Sequence, residues 1–139
     1  MNASIRRLFA ANTSWSVDLL IRLMLGAIFV FHGWGKVTGI EGTIGFFQKI
    51  GLEPATLLAY LAAYGEVIGG ILIAAGLATR LAALNCAVIM LVAIVNVHLG
   101  QGFKGMEFQL LILVASLQLL ITGAGRWSLD ALVFGKRSA

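Results

Sequence analysis

The chain has 139 residues, of which 60% are hydrophobic and 12% charged, with a formal net charge of +4 and a mean hydropathy of +0.96. Soluble domains carry about 25% charged residues, so this composition cannot cover a water-facing surface and is read as a single integral membrane domain, residues 1–139. The basic residues fall at the ends of apolar segments rather than in a stripe with aromatics, which excludes a nucleic-acid interface, and the lone cysteine, Cys86, excludes an intrachain disulfide or an Fe–S site ligated by this chain alone.

The opening stretch MNASIRRLFAANTSW carries Arg6 and Arg7 but no signal-cleavage pattern, so the apolar segment after it is read as a retained span. That first span covers about 17–37. Asp18 and Arg22 share a face near its start, spaced i,i+4, and His32 and Lys36 share one near its end. In the following loop, Phe46 and Phe47 beside Gln48 and Lys49 suggest a short amphipathic turn lying in the membrane interface. Pro54 then opens a second span, about 55–77, with Glu66 near its middle. Thr79 and Arg80 form a tight connection to a third span, about 81–99, that ends in Asn96 and His98. The Gly-rich loop GQGFKG leads to a fourth, about 106–122, with Glu107 and Gln109 in its first turn. The tail is a Gly turn, an interfacial Trp127 and a short amphipathic end.

A hydrocarbon core of about 30 Å needs about 20 helical residues, and each segment falls within tolerance. None alternates as barrel strands do. The expected fold is therefore all-α: a four-helix transmembrane bundle in which short connections make sequential helices antiparallel neighbours. An even number of spans puts both termini on the side of the Thr79–Arg80 turn. That side holds Arg6, Arg7, Arg80, Arg126, Lys136 and Arg137, against Lys36, Lys49 and Lys104 on the other. The positive-inside rule makes it the cytoplasmic side. Membrane lipids, including anionic headgroups at the basic ends, are the first partners implied.

This topology gathers polar groups toward the outer end: His32 and Lys36 from span one, Asn96 and His98 from span three, Glu107 from span four. Glu66 lies about 16 Å deep in span two, at 1.5 Å per residue. An intramembrane ionisable group is costly and points to function. Glu66 and His32 are the candidate proton-handling pair; Lys36, Asn96, His98 and Glu107 are candidate ligand contacts. Each also has a plainer reading, as a helix-end anchor, interhelical glue or a hydrogen-bonded buried acid. Lys36 is long enough to extend outward to the interface, whereas Glu66 is not. Gly65 and Gly69 form a GxxxG that allows another helix or a flat ligand close to Glu66. Phe29, Phe31, Trp34 and Phe103 are candidate pocket walls. No metal site is expected, since neither HExxH nor Glu-x-x-His is present.

Several of these motifs resemble those of the DoxX family. Leu25-Gly26-Ala27-Ile28-Phe29-Val30-Phe31-His32-Gly33-Trp34-Gly35-Lys36 is similar to the family's LGxxFxxHGxxK opening. Glu66-Val67-Ile68-Gly69-Gly70 resembles its ExxGG span, and Gly76-Leu77-Ala78-Thr79-Arg80 its GLxTR turn. Gly123 to Asp130 is similar to its GPGRWSLD close, with Ala124 where proline is usual. The resemblance implies a small four-helix, multi-pass protein of the bacterial inner membrane. It also implies a link to redox systems, since members include a thiosulfate:quinone oxidoreductase subunit and proteins of oxidative-stress resistance. It places His32, Lys36, Glu66 and Arg80 inside motifs, Arg80 as a structural residue. The first functional expectation is therefore a membrane subunit of a quinone-linked redox system. No cofactor is encoded; a quinone would be the bound ligand, and electrons would come from a redox partner protein. A homo-oligomer is the other partner expected. The alternatives are a non-enzymatic scaffold or assembly factor, and a small-solute transporter.

Overall fold

The computed structural model describes residues 18–134, so the expectations resting on Arg6, Arg7, Lys136 and Arg137 lie outside the described residues. Every described element is helical: α1 (Asp18–Thr38), α2 (Ile40–Lys49), α3 (Ala55–Ala75), α4 (Thr79–Ala93), a π turn (Ile94–His98) and a 3-10 turn (Leu99–Gln101), then α5 (Gly102–Thr122) and α6 (Leu129–Phe134). Three helical stretches are long and apolar enough to cross a membrane: Asp18–Thr38, Ala55–Ala75 and the 44 residues Thr79–Thr122. Their outward faces carry large apolar side chains such as Leu20, Met24, Leu111, Val114 and Ile121, a coat that suits lipid.

The 79–122 stretch does not run straight. Arg80 donates from Nη2 to the Ile121 carbonyl at 3.2 Å, so its two ends lie side by side and α4 and α5 are antiparallel. One apolar cluster joins Ala83, Cys86, Ala87, Met90 and Ile94 to Ile112, Leu113 and Leu119. The expected flexible loop GQGFKG is instead helical, forming the 3-10 turn and the start of α5. The α-helix also stops at Ala93, six residues before the expected end of the third span, and widens into the π turn. The interfacial turn expected around Phe46 is the ten-residue helix α2.

Glycine decides how α1 and α3 meet. A Cβ on Gly26 would lie 2.6 Å from the Gly70 carbonyl oxygen, and one on Gly70 would lie 2.8 Å from that of Gly26. A Cβ on Gly33 would lie 2.7 Å from that of Glu66. Only glycine lets these backbones touch, the small-residue packing of helices in lipid. Gly65 and Gly69 face α4, where added Cβ atoms would come within 3.4 Å and 3.0 Å of Asn85 Nδ2.

At the opposite end from Lys36, the chain turns from α3 to α4 through Gly76, which is left-handed at φ +68° and closes the helix by donating to the Ile73 and Leu72 carbonyls. Ala78 is left-handed too, at φ +47°, a conformation costly for a residue with a Cβ. Asp130 holds it there: its carboxylate accepts from Ala78 N–H at 2.7 Å and Thr79 N–H at 2.9 Å, capping α4 from the far end of the chain. Desolvation pushes the Asp130 carboxyl up, but the backbone donors of Thr79 and Ala78, with Arg22 nearby, outweigh it and hold the group below the usual carboxylate range. A depressed folded value means the stabilisation is present above the unfolded value near about pH 4 and is lost as pH falls through the folded one. Asp130→Ala should therefore cost about 1–2 kcal/mol near neutral pH. Melting in detergent should show its deficit shrinking as the sample is acidified below the folded value; a deficit independent of pH would show that the capping charge is not the cause.

Candidate functional site

Antiparallel packing of α1 on α3 sets Lys36, one turn from the end of α1, beside Glu66, midway along α3. Lys36 Nζ donates to Glu66 Oε1 at 2.8 Å and to Oε2 at 2.6 Å. The Glu66 side chain is 3% exposed and that of Lys36 is 30% exposed. Lys36 was expected to extend outward to the interface; instead it turns inward. Glu66 is too short to reach water, and an ion pair offsets part of the cost of keeping its charge inside. Among the described residues this is the one ion pair within 4 Å.

The pair lies on the wall of a cavity of about 1020 Å³ that lies mainly between α3 and α4 and is closed at the back by α1 and α5. His32, Lys36, Glu66 and His98 all line it. Sequence thus named four residues that the fold brings to one space. Asn96 and Glu107 are not among the lining residues. Asn96 is turned to its own helix, donating from Nδ2 to the Val92 carbonyl at 2.8 Å. Glu107 sits beyond the first turn of α5, which starts at Gly102 rather than near Met106, and its side chain is exposed. The aromatic wall also differs from expectation. Phe29 lines the cavity, but Phe31, Trp34 and Phe103 point outward, and the other rings are Phe46, Phe47, Phe108, Tyr60 and Tyr64. Tyr60 and Tyr64 stack with planes 6° apart and centroids separated by 6.2 Å, one helical turn apart on α3. The His32 ring lies 6.3 Å from that of Phe108. Because Tyr60, Leu61, Tyr64, Ile68 and Val88 are exposed as well as lining, the cavity opens sideways, toward lipid.

Two polar residues escaped the sequence reading. Asn85, in the middle of α4, lines the cavity and donates from Nδ2 to the Gly65 carbonyl at 2.9 Å, bridging α3 and α4 across the GxxxG. The signal was available: it is a lone amide in an apolar span, as Asn96 is. Arg22 is the other. Its i,i+4 spacing put it on one face with Asp18, yet Arg22 is 1% exposed and Asp18 is not within 4 Å of it. Its guanidinium donates to the backbone instead: from Nη1 to the Ala124 carbonyl, and from Nη2 to those of Trp127 at 2.9 Å and Ala74 at 3.3 Å. It thereby ties the end of α3 to the segment after α5. Arg80, by contrast, is exposed and serves the end of α5 through Ile121. Among the described residues no group of three or more His, Cys, Asp or Glu side chains is placed to hold a metal ion.

The arrangement offers a mostly apolar, ring-lined space with charged and imidazole groups on its wall, reached from the membrane. The chain is 43% identical over 130 residues to "Putative oxidoreductase CatD" of Bacillus subtilis, covering 91% of this chain and 96% of that one. It is 32% identical over 120 residues to the inner membrane protein YqjF of Escherichia coli, covering 83% and 90%. No solved structure matches it. The DoxX family model matches residues 17–99, more than half of the chain, and on that match and these relatives the protein is a member of the DoxX family.

Proposed function

We propose that this protein is the membrane subunit of a quinone-linked redox system and that it holds a quinone ring in the cavity beside the Lys36–Glu66 pair. The observation that carries the reading is the convergence of His32, Lys36, Glu66 and His98 on one largely apolar space of about 1020 Å³, at the upper end of ligand-pocket sizes. A quinone fits that set: its carbonyls need hydrogen-bond donors, which Lys36 and the His32 imidazole supply, and its ring needs a flat apolar wall. When bound, a quinone supplies two-electron chemistry coupled to protons. The protein's part is to orient the ring, exclude water and present groups that take up or give protons, for which histidine is suited near neutrality. With one cysteine, the chain does not ligate an Fe–S cluster by itself, so electrons come from a partner protein.

The same proposal includes the topology. The folded-back stretch 79–122 makes two crossings, giving four spans with both termini cytoplasmic in a bacterial inner membrane. Over the whole sequence, Arg6, Arg7, Arg80, Arg126, Lys136 and Arg137 fall on the side of the termini against Lys36, Lys49 and Lys104 on the other, and that excess supports the orientation.

The test is photolabelling with a short-chain quinone carrying a photoreactive group. Labels should map to the walls near Tyr60, Tyr64 and Phe108 and be displaced by unlabelled quinone. Glu66→Gln should weaken competition about tenfold, since an uncharged amide accepts one weaker bond from Lys36 in place of the charge-assisted pair. Labelling that unlabelled quinone does not displace, or that falls on the outward rings Phe31 and Trp34, would overturn the proposal.

A further inference from the structure

His98 enters the cavity through an irregular piece of helix. Inserting one residue into a helix turns everything beyond it by about 100°. The π turn Ile94–His98 is such an insertion, and π turns occur often at functional sites. At its end, His98 Nδ1 lies 3.3 Å from Gln101 Oε1, and Gln101 Nε2 donates to the Val97 carbonyl at 3.2 Å. The second bond fixes the first. A carbonyl only accepts, so the amide nitrogen must face Val97 and the amide oxygen must face the imidazole. An amide oxygen also only accepts, so the neutral ring carries its proton on Nδ1. Nε2 then holds a lone pair and makes no hydrogen bond among the described residues.

Building on the quinone reading, we propose that Gln101 is a positioning residue that holds His98 in its Nδ1–H form, so that Nε2 accepts a hydrogen bond from a hydroxylated ring. The site then discriminates between the two forms of its ligand. A hydroquinone offers O–H donors and is accepted at Nε2; a quinone offers only carbonyl acceptors, which a bare lone pair repels. Gln101 itself lies outside the cavity, and of the two groups it bonds, His98 and Val97, only the imidazole can exchange a proton with a ligand.

The experiment has one readout without ligand and one with it. In protein labelled with nitrogen-15 at histidine and held where imidazole is neutral, the His98 resonances, assigned by their loss in His98→Phe, should report a protonated Nδ1 and an unprotonated Nε2. Gln101→Leu should move the proton to Nε2. In the second readout, a decyl hydroquinone and the matching quinone are titrated into both proteins. The ratio of hydroquinone to quinone affinity should fall about fivefold to tenfold in Gln101→Leu, the worth of one neutral hydrogen bond. His98 protonated at Nε2 in the unsubstituted protein, or an unchanged ratio in Gln101→Leu, would overturn this inference and leave the quinone reading standing. Failure of both ligands to bind would overturn the quinone reading and the ligand half of this inference with it.

Discussion

Lys36→Met is expected to destabilise the solubilised protein by about 3–5 kcal/mol, because it leaves the Glu66 carboxylate buried with no counter-charge. The Glu66 side chain is 3% exposed and sits in a close α1–α3 contact, where Gly33 leaves no room for even a methyl group. The double variant Lys36→Met/Glu66→Leu removes both charges and should recover most of that loss, since a buried pair is commonly replaceable by apolar residues of similar size. Thermal melting of the wild type, both single variants and the double variant gives the coupling directly. The double variant also separates two roles. If the pair only ties α1 to α3, quinone binding survives in it. If the pair serves the ligand, binding is lost although the fold is restored. Survival of binding would make the pair a tie between α1 and α3 and leave ligand contact to the other lining residues.

Arg22→Leu is expected to cost about 3 kcal/mol or more, since three backbone carbonyls lose charge-assisted donors at once. Those carbonyls sit at the end of α3 and in the segment 124–127, places where no helix partner replaces the guanidinium. Arg22→Lys should recover only part of the loss, because an ammonium lacks the planar fork that reaches both sides. Limited proteolysis supplies a local measure. Cleavage after Arg126 should become fast in Arg22→Leu while the rest of the bundle stays intact. Uniform cleavage throughout, with no preference for this segment, would contradict the clamp.

The spans were legible because hydrocarbon leaves no alternative to long apolar helices, and the lengths of these runs set their number of turns. The gathering of His32, Lys36, Glu66 and His98 was legible for a related reason: antiparallel hairpins make depth along one helix predict depth along the next. What sequence did not show was rotation about the helix axis. The π turn resets that rotation between Ala93 and Leu99, which is why His98 faces the cavity and Asn96, two residues earlier, does not. Arg22 was misread because its partners are backbone carbonyls, which every residue has and no motif marks. Its visible neighbour at i,i−4, Asp18, drew the inference toward a local pair. Gly26, Gly33 and Gly70 were passed over for the familiar Gly65–Gly69 spacing, although theirs is the tighter contact.

The distance along the chain between Arg22 and its partners has a consequence for synthesis. Two of its three carbonyl acceptors, Ala124 and Trp127, lie 102 and 105 residues downstream. Until the ribosome has released that last stretch, the nascent chain holds an arginine in its first helix whose final partners do not yet exist. This end of the bundle therefore closes last, and a chain cut short before Ala124 leaves the Arg22 guanidinium without two of its three acceptors. Full closure of the clamp thus requires the chain through Trp127.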